Sequence, residues 1–231
     1  MNYIIWNGKD SREIKGLLIS ELPPISKPRM RVKETVIDGV DGSIIEELGY
    51  ESYDKPIAIG LKIGADIDEI IEYFIGNGEV IFSNEPNKYY RASIINGIDY
   101  ARLSRYRVAK IIFRVQPFKY DNEELEIYNN ANGQEMNVVN AGNYFSKPLI
   151  TIKGTGKVVL SVNGNMICDY TFPEKEDTVI LDCEKQDAYL GSLLKNRNMN
   201  GDFPVLQKGN NVISWSGTVE RISVTRYSRW L

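Results

Sequence analysis

The sequence predicts a mainly β protein of two domains, and three observations carry that reading. Short apolar runs alternate with polar residues and are punctuated by Asn, Gly and Pro turn signals. Only one segment shows a helical period. Composition shifts to Asn-rich between residues 121 and 148, which separates an N-terminal domain (1–120) and a connection (121–142) from a C-terminal β-sandwich (143–231).

In chain order, "YIIW" (3–6) and "GLLIS" (16–20) read as opening strands. "ELPPISKPRM" holds three prolines, which remove backbone donors and argue against a central strand or a helix. "RMRVKETVIDG" alternates with period 2, and "KPIAIGLKIG" (55–64) reads as its antiparallel partner across a long loop. The helix is "ADIDEIIEYFIGNG": Ile67, Ile70, Ile71 and Phe74 form one apolar stripe, Asp66 and Glu69 supply a capping box, and Gly76 and Gly78 end it. "GEVIFSN" and the tract from Tyr90 to Tyr120 read as further strands, the last of them long and alternating up to Pro117. Trp6, Phe113 and Phe118 are expected in the core. After residue 142, six apolar runs suggest six strands, with "VNGN" a two-residue hairpin turn, "KGNN" a weaker one and "GTG" (154–156) a hairpin.

Composition removes several functions. The 231 residues include no histidine, so Ser-His-Asp and Cys-His catalysis and His-ligated metal centres are excluded, and no cofactor is expected. The net charge of −3, with no basic excess in either half, argues against nucleic acid as a partner. No run resembles a signal peptide or a membrane span, so no membrane partner is expected. Cys168 and Cys183 lack metal-site spacing and read as reduced, buried apolar residues.

The loop "VIDGVDGSIIEELGYESYDKPIAIGL" (36–61) is acidic and aromatic. It fails as a calcium loop: counted from Asp38, positions 3 and 5 are Val40 and Gly42, and from Asp41 they are Ser43 and Ile45. A hairpin excursion has too little core of its own, so docking on another subunit would order it. Rigid amphipathic Tyr50 and Tyr53, flanked by acids, suit such a contact. In the C-terminal half, "WSGTVERI" offers Trp215, Glu220 and Arg221 as candidate glycan contacts. Galectin-type lectins also need a His-Asn-Arg set, which this chain cannot supply. A glycosidase carboxylate pair leaves no local signature and stays open.

Taken in order, "VDGVDGSIIEELGYESYDKPIAIGL", "ADIDEIIEYFIGNGEVIFSNEPNKYYRA", "YRVAKIIFRVQPFKY", "GDFPVLQKGNNVISWSG" and the terminal "VTRYSRWL" resemble the distal tail protein (Dit) family of long, non-contractile phage tails infecting Gram-positive bacteria. The resemblance implies an N-terminal β-sandwich or split-barrel-like ring domain with one helix and an extended hairpin arm. It also implies a galectin-like C-terminal sandwich. It further implies a homo-hexameric ring in the virion tail tip, made in the host cytoplasm. That ring would join the tail tube protein to a tail-associated fibre or lysin protein, with receptor-binding proteins as further partners. Asp41, Glu46, Tyr50 and Tyr53 are then expected at subunit contacts. The rival readings are a bacterial cell-wall carbohydrate-binding module and a glycan-cleaving enzyme.

Overall fold

In the computed structural model the chain is described at residues 1–97, 103, 105–122, 126–130, 133–174 and 177–231. The strand reading across 98–102 and 104, and the Asn-rich connection at 123–125 and 131–132, fall outside the described residues. The chain divides into one unit of Met1–Asn122 with Leu231 and another of Glu123–Trp230.

The first unit contains β1 (Ile4–Trp6), β2 (Lys9–Asp10), β3 (Leu17–Glu21), β4 (Met30–Thr35), β5 (Ile44–Tyr50), β6 (Tyr53–Leu61), α1 (Ile67–Tyr73), β7 (Asn77–Phe82), β8 (Lys88–Ile94) and β9 (Val108–Asp121). Its main sheet runs β2-β1-β7-β8-β9-β6-β3. Strict alternation on β6 buries Lys55, Ile57, Ile59 and Leu61. Register sets Ile57 against Ile111 and Lys55 against Phe113. Phe113 is fully buried and meets Trp6, Phe74 and Phe82 edge to face at 5.3, 6.4 and 5.7 Å. Phe118 is only half-buried and lies beyond the β6 pairing, which ends at Val115.

Helix α1 begins where Asp66 accepts from the Asp68 and Glu69 amides at 3.0 and 3.3 Å. Its buried residues are Ile70 and Tyr73, with Phe74 buried at the C-cap. The stripe read from sequence missed Tyr73, whose hydroxyl donates to the Lys9 carbonyl at 3.0 Å. Strand β9 does not stop near Pro117 but continues to Asp121. Pro117 needs no ladder partner there: it faces the register shift between Tyr90 and Ala92 and lies outside the β6 pairing.

One pairing differs from the sequence reading. β6 is not the partner of β4; it lies between β9 and β3. β4 pairs instead with β5, inside the presumed loop, as a separate two-stranded ribbon. The apolar alternation of β6 fits a sheet buried on one face, whereas β4 is exposed almost throughout.

The second unit contains β10 (Glu126–Asn130), β11 (Glu135–Asn140), β12 (Leu149–Val162), β13 (Asn165–Thr171), β14 (Thr178–Asp182), β15 (Asp187–Leu190), β16 (Leu193–Leu194), β17 (Met199–Gly201) and β18 (Gly209–Thr225). The stretch read as a connection thus supplies β10 and β11, which pair with opposite ends of β18. "LITIKG" and "KVVLSVNGN" are not two strands but one, β12, and "NVISWSG" and "RISVTRY" belong to a single β18. Gly154 and Gly217 mark bends inside these strands, not their ends. A Cβ on Gly154 would lie 2.4 Å from the Thr218 carbonyl oxygen, and one on Gly217 2.3 Å from that of Lys157. Before its bend β12 pairs with β14 and after it with β13, which folds the sheet over a core that includes Ile152, Leu160, Tyr170 and Trp215. The "VNGN" turn is as expected: Asn163 and Gly164 have φ of 52° and 82°, joining β12 to β13. Gly209 begins β18 and the Asn211 side chain closes that corner onto Gln207, so "KGNN" is not a two-residue hairpin. The fold is mainly β in both units.

Candidate functional site

The β4–β5 ribbon is an arm without a core. Its register pairs Val32 with Glu47, Lys33 with Glu46, Glu34 with Ile45 and Thr35 with Ile44. Both faces therefore mix charge with apolar residues, and neither can be buried by folding the ribbon alone. Val36, Val40, Ile44 and Ile45 are 69%, 61%, 59% and 62% exposed. The Lys33–Glu46 ion pair, 3.4 Å long and exposed at both ends, adds little stability. Near the root, Gly49 adopts φ of +96° where the ladder shifts register, and Arg31 donates to the Leu48 carbonyl at 3.0 Å.

The four residues expected at subunit contacts fall in different places. Asp41 is exposed in the turn of the arm, and Glu46 is exposed on β5. Tyr50 sits at the root, where its ring meets Phe118 edge to face at 6.0 Å and Lys27 lies 5.7 Å above it. Tyr53 is on β6 in the main sheet, and its hydroxyl donates to the Ser26 carbonyl at 3.3 Å. Arg31, Tyr50, Glu51, Ser52, Arg114 and Gln116 line an open polar cleft beside the root. In the second unit, Trp215 is 6% exposed within the core, Glu220 is paired with Lys153 at 2.9 Å, and Arg221 is exposed. The structure does not gather these three into one site.

Sequence reading missed a cluster beneath the root. Lys55 is 1% exposed, with its ammonium 4.8 Å from the Tyr90 ring centre, and it donates to the Pro24 carbonyl at 3.0 Å. Burial pulls its pKa down to about 8; Glu85 opposes that shift and Lys119 adds to it. Glu85 accepts from the Tyr90 hydroxyl at 2.5 Å and from Lys119. Burial resists its ionisation, but those donors and Lys55 outweigh burial and hold the carboxyl below its ordinary range. Burial, reinforced by Glu85, pushes Tyr53 up to about 12. One signal was present: Lys55 is in phase with Ile57, Ile59 and Leu61, the inward side of β6.

Among the described residues no group of three or more Cys, Asp and Glu is placed to hold a metal ion, and no helix is long and apolar enough to cross a membrane. Cys168 and Cys183 are free and buried, and burial raises both thiols.

No protein-family model matches the chain, and no curated protein does. Among solved structures, the crystal structure of the Dit protein of phage SPP1, presented as a paradigm of the hub adsorption apparatus in phages infecting Gram-positive bacteria, matches over 100% of both chains. The TM-score is 0.70 and the identity 14%. Two structures of the phage P2 baseplate in its activated conformation, one with Ca and one with Sr, each match at a TM-score of 0.50 and 8% identity. These cover 98% of each chain in the first, and 100% of this chain and 99% of the other in the second. From end to end, the chain has the fold of the SPP1 Dit protein.

Proposed function

We propose that this chain is a structural hub of a phage tail tip, assembling as a closed hexameric ring that joins the tail tube to the fibre and receptor-binding apparatus. The observation that carries it is the likeness to the SPP1 Dit protein across the full length of both chains. The arm supports it physically. A two-stranded ribbon is marginal in water by itself, yet this one displays four aliphatic side chains that are more than half exposed. Covering the exposed half of each would contribute on the order of 1 kcal/mol. A repeated ring contact would do so, with Asp41, Glu46 and Tyr50 setting its polarity and register, and Tyr53 bracing the root.

Light scattering on the purified chain across a concentration series tests the reading, with negative-stain images of the same sample. Six-fold rings are the expected result. A monomer at every concentration, unchanged on mixing with the tail tube protein, refutes it.

A further inference from the structure

Residues 22–29 lead from β3 into the arm, and Pro23, Pro24 and Pro28 lie among them. Proline has no N–H and cannot extend the neighbouring ladder, so sheet pairing does not hold this stretch. Side chains hold it instead, each donating to a backbone carbonyl. Asn84 donates to Pro23 at 3.0 Å, Lys55 to Pro24 at 3.0 Å and Tyr53 to Ser26 at 3.3 Å. A backbone bond from the Glu51 amide to the Arg29 carbonyl at 2.8 Å closes the root.

Lys55 is central to this set. It occupies an inward position on a strand whose other inward residues are Ile57, Ile59 and Leu61. A buried ammonium there is costly, and an aliphatic residue would serve the core better. Its charge is accommodated by the faces of Tyr90 and Phe82, 4.8 and 5.8 Å away, and by Glu85 from the β7–β8 turn, which is itself held by Tyr90 and Lys119. The arrangement turns one hydrogen bond outward to the Pro24 carbonyl.

We infer that Lys55 is a positioning residue for the arm: with Asn84 and Tyr53 it latches the proline-rich root and fixes the direction in which β4 leaves the domain. A root held this way presents the ribbon in one orientation before any partner arrives, which lowers the ordering cost of docking. The latch is a property of the single chain and does not depend on the hub reading.

Hydrogen exchange of the full-length chain, followed by mass spectrometry, tests it. In Lys55→Met, peptides covering residues 22–35 and 44–50 should exchange about tenfold faster, while those from β9 and α1 stay within about twofold of wild type. Asn84→Ala, which removes an outer donor, should give a smaller acceleration in the same peptides. Unchanged exchange at the root overturns the inference, as does equal acceleration of root and β9, which would make Lys55 a support of the domain alone. If Lys55→Met fails to fold, the double variant Asn84→Ala with Tyr53→Phe decides: a root that exchanges as in wild type overturns the latch. Failure to find rings would leave all of these readouts intact, so the two ideas fail separately.

Discussion

Lys55→Met should change how the stability of the first unit depends on pH. In the folded chain burial holds the Lys55 pKa at about 8, against an ordinary 10.5. Below pH 8 both folded and unfolded chains carry the proton. Between 8 and 10.5 the unfolded chain binds it and the folded chain does not, so stability rises with pH across that window. At about 1.4 kcal/mol per unit of separation, the rise reaches roughly 2 to 3 kcal/mol by pH 10. The buried tyrosines act in the opposite sense at higher pH: Tyr53, held at about 12, loses stability for the fold once the unfolded phenol ionises above 10. They are common to both proteins and cancel when variant and wild type are compared. Urea denaturation at pH 7.5, 8.5, 9.3 and 10, following the fluorescence of Trp6 with Trp215→Phe and Trp230→Phe in both proteins, supplies the difference. Wild type should gain on the variant by roughly 2 to 3 kcal/mol across the series, whatever the offset at pH 7.5. A pH-independent difference would show that Lys55 titrates normally, and the account of its burial would fail.

Other expected outcomes are more local. Charge reversal Glu46→Lys combined with Tyr50→Ala should lower the assembled mass seen by light scattering; an unchanged oligomer would remove the arm from the interface. Trp215→Ala should destabilise the second unit by about 3 to 5 kcal/mol, as a large core truncation does, measured by thermal melting. Asp66→Ala removes an N-cap that serves two amides and should cost about 1 kcal/mol in the first unit by urea denaturation. Gly217→Ala, at φ of +102° and with its Cβ directed onto the Lys157 carbonyl, should destabilise the second unit well beyond an ordinary surface change, visible as a lowered Tm.

Local chemistry made much of this fold readable. Asp66 caps α1 because its side chain reaches amides two and three residues on, and Asn163-Gly164 turns because both positions accept positive φ. Residues whose roles depend on distant partners were less legible. Gly154 and Gly217 look like turn residues from sequence, yet each is small because another strand's backbone passes against it. Shared alternation matches β4 to β6, while the nearer β5 lies in a run of charged and aliphatic residues that never alternates cleanly. Glu85 and Lys119 are 34 residues apart, and no spacing rule brings them to Lys55. In the 36–61 loop, sequence locates the arm but does not separate Tyr53, which belongs to the sheet, from Tyr50 at the root.

The two bent strands of the second unit bear on how it comes apart. β12 and β18 each run on through their bends, so the β14 and β10 pairings on one side and the β13 and β11 pairings on the other hang on the same two strands. Here a pull on the Thr225 end of β18 strains β10 and β12, and a pull on the Gly209 end strains β11 and β12. Because β12 is common to both ends, the unit should yield in a single step under load.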